Sequence, residues 1–569
     1  EALQRPAADL AVGVCAGAVK VCRGQDGFVE PDYASIEGFQ LEETACDGLD
    51  NDCDGRTDEG VALPLADLQD GICADVRKEC AGARGIVEPD YAALPGYDVD
   101  DQPDNFEDND CDGVVGTRDR MVFVSSLGSD DNNGLTPDQP LATIEAAVTW
   151  AARSISRKQV AVVTDTYLSD ASLSLSSGIS IFGGFSRDFS RRDAGRAVFS
   201  TTNSVGAIAA GPQVETLLDG DNLVVGSQGG AGAEVVGIRY YGQVDTLRLR
   251  NVRIRVGSGG NGVAGGVGAR GANGEAGGDA AGREPGSGGN IGGGRGGRGN
   301  EQGAGQDGGN GVGGGGGGGL SNDGGLGCGD GNVQRGGNGA GGHPGEVGAA
   351  GAAGNDLGSF VGLDWLPSFG ASGSAGRRGG GGGGGAAGGG ENCTTEECIN
   401  IPLVGRVCTP DVCVYCGTGR GGGGGGGAAA GGTGGGRGSG GGASIGILMR
   451  DSTIHLENTQ ITVAGGGRGG AGGNGGAGGV GGAGGFGAEN DDEKDGNGGH
   501  GGRGGNGGAG GCGAGGSGGP SIGIWGIRGA TVIRDDVDDD QIPAGGRGGA
   551  SCGNDGPSGR SAQYLNLEP

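Results

Sequence analysis

"IRYYGQVDTLRLRNVRIRVGSGG" (residues 238–260) and "IGILMRDSTIHLENTQITVAGGG" (445–467) superpose at a spacing of 207 residues, with Asn251 on Asn458. Both alternate apolar and polar residues, as half-buried strands do, and both run into glycine. A third relative, "SIGIWGIRGATVIRDD", begins at Ser521. Recurrence across long intervening sequence predicts successive layers of one stack, the insertions leaving it as loops on one face. Upstream, "QVAVVTDTYL" (159–168), "LSLSSGISIFGGF" (173–185) and "AVFSTT" (197–202) read as earlier short strands, and residues 121–152 as a strand, a polar loop and an amphipathic helix.

The insertions carry their own period. Glycine occupies 259, 262, 265, 268, 271, 274 and 277, and again 336, 339, 342, 345, 348, 351 and 354. Residues 469–485 and 498–512 repeat as Gly-Gly-x triplets. Three residues per turn is the period of a polyproline-II-type helix, and an 18-residue run of it extends about 55 Å. Such a helix has no internal hydrogen bonds, so it must find partners. With one proline among these runs, Pro344, a collagen triple helix is disfavoured. The alternatives are a disordered spacer, favoured by glycine's ordering entropy, and an intrachain bundle of antiparallel polyglycine-II helices. Phase and anchoring at both ends favour the bundle.

Two resemblances bear on this reading. The loop "GSDDNNGLTPDQPLATIEAA" followed by short strands resembles the opening of secreted right-handed parallel β-helix proteins. The glycine runs look like the polyglycine-II bundles of an insect-like antifreeze protein and a phage tail adhesin. The fold class expected is mainly β: a right-handed parallel β-helix with inserted polyglycine-II bundles, preceded by two small disulfide and calcium-loop repeats.

Those repeats fill the first 116 residues. Residues 1–58 lie over 59–116 without a gap: Cys15, Cys22 and Cys53 fall on Cys73, Cys80 and Cys111, and "FVEPDYA" (28–34) on "IVEPDYA" (86–92). Glu1 falls on Glu59, and the reading expects a longer precursor with further copies upstream. Each copy carries an acidic loop, "DNDCDGRTDEG" (50–60) and "DNDCDGVVGTR" (108–118). In the first, Asp50, Asp52, Asp54 and Asp58, with the Arg56 carbonyl and Glu59, have the order in which oxygens wrap a hard cation, Gly55 making the turn. In the second, Asp108, Asp110, Asp112 and the Val114 carbonyl remain, while Gly116 replaces the last acid, so weaker binding is expected. Calcium is the cofactor expected, copper and zinc being softer than this ligand set. The stretch "ACDGLDNDCDGRTDEG" (45–60) resembles the metal-binding repeat of large secreted and surface proteins of Gram-negative bacteria, found also in a methanotroph surface protein linked to copper. That resemblance implies an extracellular setting and metal binding, and no enzyme.

Boundaries follow: repeats at 1–58 and 59–119; cap and first rungs at 120–256; a glycine-rich insertion at 257–443; a rung at 444–463; a second insertion at 464–520; a last rung and tail at 521–569. Composition agrees with such a plan. Of 569 residues 153 are glycine, while phenylalanine, tyrosine and tryptophan number 11, 8 and 3. The formal charge of −31 argues against nucleic acid as a partner. No apolar stretch is long enough to span a membrane. Fifteen cysteines indicate an oxidising compartment. Close spacing nominates Cys15 with Cys22, Cys46 with Cys53 and Cys73 with Cys80 as disulfide-bonded pairs, with a further cluster at Cys393, Cys398, Cys408, Cys413 and Cys416. Cys328, Cys512 and Cys552 are expected to join that cluster. Asp104 replaces the cysteine matching Cys46, so Cys111 is expected to lack a partner.

No nucleophile, phosphate-loop or zinc-protease motif stands out, and His343, His455 and His500 lie far apart. Polysaccharide lyases use β-helices, calcium-binding aspartates and a basic residue. Here the candidates, Asp245, Arg248, Arg250, Arg253 and Asp535 to Asp540, are scattered. The function expected is a calcium-stabilised structural or adhesive protein at a bacterial exterior, a filament subunit or an adhesin. Self-association head to tail or surface glycans would be its partners. A secreted carbohydrate-active enzyme and a metal-scavenging surface protein are the alternatives.

Overall fold

The computed structural model describes residues 4–103, 105–192, 195–210, 216–225, 230–242, 246–290, 292–299, 306–311, 335–389, 419–490, 496–537 and 540–567, with four short strands between 392 and 415. The protein is mainly β, built on two large sheets in which every strand pairing is parallel.

Strands line up in three ladders, and successive passes of the chain add one strand to each. The first ladder holds Leu173–Leu175, Val205–Ala210, Val235–Tyr241, Ser444–Arg450, Ser521–Ile527 and Ser561–Leu567. The second runs from Met121–Val124 through Gln159–Val163, Ser180–Phe185, Thr216–Asp219 and Thr246–Arg250. It continues in the first half of Thr453–Val463 and in Thr531–Val537. The third comprises Thr166–Ser169, Ala197–Thr201, Asp221–Val225, Arg253–Val256 and the second half of Thr453–Val463. That long strand joins the second and third ladders into one sheet.

Alternation decides which side chains point between the ladders. Ile238, Ile447 and Ile524 stack in register, as do Leu247, Ile454 and Val532, and Ile254 on Ile461. These belong to one apolar core in which all but Val532 are fully buried. Each such side chain contributes about 1.5–3 kcal/mol on burial. Register follows the 207-residue spacing from Thr246 onward, with Arg248 opposite His455 and Arg253 opposite Gln460. One strand earlier the spacing is 209, Ile238 facing Ile447, because the turn after Tyr241 is two residues longer than the turn after Arg450. Between the second and third ladders, Asn251 (φ 55°) and Asn458 (φ 43°) both turn left-handed. Asparagine tolerates that conformation better than most residues. The two stack as a ladder, with Asn458 Nδ2 donating to Asn251 Oδ1 at 2.7 Å.

One end of the core is covered by helix α1 (Ile144–Arg153), whose Ile144, Ala147, Val148 and Ala151 are buried in it. Thr143 caps the helix by accepting from the Ala146 amide. The outer face of the first ladder is covered by a hairpin, Ser359–Val361 with Asp364–Leu366, whose Trp365 and Phe360 pack against Trp525 and its neighbours.

The glycine-rich segments are packed, and they bond every third residue. Amides of Gly259, Gly262, Gly265, Gly268, Gly271, Gly274 and Gly277 donate to the carbonyls of Gly465, Arg468, Ala471, Asn474, Ala477, Val480 and Ala483 at 2.7–3.0 Å. Gly339, Gly342, Gly345 and Gly348 donate likewise to His500, Arg503, Asn506 and Ala509. These rows run parallel, where an antiparallel bundle is expected from the sequence; other neighbours are antiparallel, as Gly376 to Gly432, Gly379 to Ala429 and Gly382 to Gly426. Residues 420–442 sit in the middle, bonded to the segments around Gly266, Gly376, Gly473 and Gly511, and 421–429 are all buried.

How many glycines a triplet holds reflects how many of its faces meet a neighbour. A Cβ at Gly265 would stand 2.0 Å from the Gly436 carbonyl oxygen, whereas one at Gly266 would meet nothing within 4 Å. In the Gly-Gly-x run, a Cβ at Gly472 would meet Gly513 O at 1.9 Å and one at Gly473 would meet Gly266 O at 2.0 Å, while Ala471 is exposed. Outer rows therefore need one glycine in three, and inner rows two.

Candidate metal centres in the acidic repeats

Within each repeat a cystine ties the acidic loop to the N-terminal turn: Cys15–Cys53 and Cys73–Cys111. The backbones meet closely there, since Val14 and Ile72 donate to the carbonyls of Asp50 and Asp108 at 2.9 and 3.1 Å. A Cβ on Gly13 or Gly71, both at positive φ, would overlap those carbonyls. The shared "VEPDYA" stretch has a structural task. Lys20 bridges Asp9 and Glu30, and Lys78 bridges Asp67 and Glu88. Tyr33 and Tyr91 donate to Glu30 and Glu88 while accepting the Leu10 and Leu68 amides. Lys20 holds Glu30 down to about 2, well below the usual carboxylate range.

The close-spaced pairings, and the expectation that Cys111 lacks a partner, are overturned. Cys111 has a partner, Cys73. Cys46 does not bond within its own repeat; it bonds Cys80 of the next one, with Cα atoms 5.7 Å apart. Cys22, nominated as bonded, is an exposed free thiol. Spacing along the chain misleads here because the repeat is closed by contacts across its full length, not between neighbours. Cys512 pairs with Cys552. The bonding of Cys328, Cys393, Cys398, Cys408, Cys413 and Cys416 lies outside the described residues.

At each loop three carboxylates converge. Oxygens of Glu43, Asp50 and Asp52 lie within 4.8 Å of one another, and so do those of Asp101, Asp108 and Asp110. Glu43 and Asp101 occupy equivalent positions 58 residues apart, and neither was singled out in the sequence because each precedes its loop. The acid enters from the segment ahead of the loop: Glu43 accepts the Asn51 amide at 2.7 Å, and Asp101 accepts those of Asn109 and Gly116 at 3.3 and 2.7 Å. Each keeps a second oxygen, Glu43 Oε2 and Asp101 Oδ1, buried with no hydrogen-bond partner, as does Asp50 Oδ1.

The other residues of the sequence motif divide. Asp54 groups with Asp52 and Glu59. Glu59's carboxyl is pushed up by desolvation, and Arg56 donates its amide to Asp54. Asp58 turns away to accept the Asp47 and Gly48 amides at 2.9 and 3.1 Å. In the second loop Asp112 is taken by Arg118, which donates its backbone amide at 2.9 Å and a guanidinium hydrogen to the Asp112 carbonyl. Val114 and Val115 are buried with Phe123, Phe185 and Phe189, seating the repeat on the strand stack. Burial and mutual repulsion push Asp101 up to about 6 and Asp110 to about 7, and Asp108 and Asp112 in the same direction.

Most of the described residues considered for lyase chemistry are ion-paired. Arg248 lies 3.4 Å from Glu457. His455 stands 2.5 Å from Asp535, and Arg534 2.6 Å from Asp540. Arg250 joins Arg192 on the buried Asp219. Arg253 is half-buried in the third ladder. Asp245, Asp538 and Asp539, with the side chain of Asp536, lie outside the described residues. No helix among the described residues is long and apolar enough to cross a membrane. The disulfides fit a non-cytoplasmic setting. Comparison with protein-family models, with curated proteins and with solved structures finds no match to this chain, so the likeness of residues 45–60 to a bacterial metal-binding repeat rests on those residues alone.

Proposed function

We propose that this chain is a calcium-stabilised structural or adhesive protein of an extracellular bacterial surface. In this reading the three ladders are the walls of a parallel β-helix, and the laterally bonded glycine segments are a polyglycine-II bundle carried on it. The stack makes a stiff base, and the bundle presents rows of small exposed residues, such as the x positions of 469–485, at a regular spacing. Repetitive partners, surface glycans or further copies of the chain, suit such a surface.

One observation carries the calcium assignment: the same triad of acids, with buried carboxylate oxygens that lack a partner, recurs in both repeats. Three like charges held together in a partly dehydrated site repel one another, and a divalent cation offsets that repulsion. An all-oxygen donor set selects calcium or magnesium over thiophilic metals. Isothermal titration of the chelator-stripped full chain tests it. Saturable calcium uptake that Glu43→Gln and Asp101→Asn each reduce by one site is the expected result; no uptake overturns the assignment. Electron microscopy with calcium and with chelator tests the structural role. Calcium-dependent filaments or rods support it, and identical compact particles in both conditions would remove the filament reading.

A further inference from the structure

The two repeats join by a directional connector. Cys46 of the first repeat bonds Cys80 of the second. Around that bond the Gly48 turn lies flat on the Gly82 turn: a Cβ on Gly48 would stand 2.7 Å from the Ala83 amide nitrogen, and one on Gly82 3.6 Å from Gly48 Cα. Asp58 organises the donor side by accepting the Asp47 and Gly48 amides, and its Oδ2 lies 3.8 Å from the same Gly82 position.

The receiving surface exists twice. Cys22 pairs with Phe28 across a two-stranded hairpin, as Cys80 does with Ile86. Arg23 and Ala81 precede the turn at φ −111° and −104°, and Gly24 and Gly82 follow at 67° and 62°. Yet a Cβ on Gly24 would meet nothing within 4 Å, and Cys22 is free and exposed. The donor surface, in contrast, exists once. At the positions of Cys46, Gly48 and Asp58 the second repeat has Asp104, Phe106 and Gly116. Phe106 instead stacks under Arg192, 5.1 Å from its guanidinium carbon, and a Cβ on Gly116 would meet Met121 at 2.2 Å. The second repeat is thus rebuilt to end the array on the strand stack.

We infer that Cys22 and the Gly24 turn form an open receiving face for one further repeat of the same type, joined ahead of the first and carrying its own counterparts of Cys46, Gly48 and Asp58. Occupation links the two by a disulfide. A low-molecular-weight disulfide supplies the oxidant: the Cys22 thiolate attacks one of its sulfurs, releasing one thiol, and the incoming cysteine thiolate then attacks Cys22 Sγ, releasing the second. Two protein thiols become one cystine, and one small disulfide becomes two thiols. The lone cysteine does not carry this inference; its bonded twin, Cys80, and the matching uncovered turn do.

The test extends the full chain with a second copy of residues 1–58 ahead of Glu1, refolded with oxidised glutathione and mapped by non-reducing peptide mass spectrometry. Only molecules in which the added copy has closed its own counterpart of Cys15–Cys53 are scored, so misfolded additions do not count. The expected result is a cystine between the added copy's counterpart of Cys46 and Cys22, with iodoacetamide labelling of Cys22 falling about tenfold or more relative to the unextended chain. Serine in place of the added copy's donor cysteine restores labelling. Asparagine for its counterpart of Asp58 slows closure severalfold while Cys46–Cys80 forms at its usual rate. Cys22 that stays as reactive as in the unextended chain, or that pairs with Cys22 of another molecule instead, overturns the inference.

Discussion

The strand stack and the glycine bundle both bond backbone to backbone between neighbouring chain segments, yet they are held by opposite means. In the stack, Ile238, Ile447 and Ile524 fill the space between ladders, and stability comes from apolar surface removed from water. In the bundle the space between neighbours is absent. Gly265 and Gly472 bring backbone against backbone, and stability comes from aligned hydrogen bonds, with weak Cα–H···O contacts available at that distance. One region therefore fails when a side chain is removed, and the other when one is added.

The widest separation between them comes from adding bulk where the bundle is closed. At Gly432 a Cβ would fall 1.9 Å from the Gly476 carbonyl oxygen, against backbone that has no rotamer to change. Gly432→Val is expected to cost more than about 4 kcal/mol, the size reserved for gross overpacking, and to expose the bundle to protease. The matched control is Gly266→Ala, facing open space, whose effect should stay within about 1 kcal/mol of the parent. Calorimetry and limited proteolysis of the two variants check both. Equal effects would show that the bundle is not close-packed.

Next in size is deletion from the stack. Ile447 is fully buried between Ile238 and Ile524, and Ile447→Ala is expected to cost about 2–5 kcal/mol, read as a lower melting temperature. Protease resistance of the bundle should fall much less than in Gly432→Val.

What could be read from the sequence follows the same division. The 207-residue spacing found the register of the stack from Thr246 onward, and the third-residue period found the bonding rows, because both are imposed locally by alternation or by close approach. The rule linking glycine number per triplet to occupied faces needed the neighbours, which come from segments far apart in the chain. In the repeats, Asp50, Asp52, Asp108 and Asp110 were legible from their loop order. Glu43 and Asp101 were not, since they arrive from outside the loop. The cystines were misread for a related reason: Cys46 reaches into the next repeat, a partner no local spacing reveals.

The acidic repeats sharpen the comparison from a third side, because they have little apolar core or close-packed bundle, and on the function proposed above a cation takes their place. Saturation with calcium at a hundred times its dissociation constant should stabilise a repeat by about 2.7 kcal/mol. Chelator should remove that gain while leaving the glycine bundle unaffected.

The smallest effect is the pH dependence left once calcium is gone. Asp101 and Asp110 stand at about 6 and about 7 in the fold, above the ordinary aspartate value of 3.8. Between 3.8 and these values the folded repeat binds more protons than the unfolded one, so its stability is greatest at the acid end and is lost as pH rises towards 7. With calcium bound the slope reverses, because the cation requires the ionised carboxylates. Hydrogen-exchange protection of the Asn109 and Gly116 amides, which donate to Asp101, reads both slopes once corrected for intrinsic exchange. Stripped protein should protect them better at pH 5 than at pH 7, and calcium-loaded protein the reverse. Slopes of the same sign in both conditions would mean that the buried carboxylates are satisfied by the protein itself, leaving the repeats with no work for a metal.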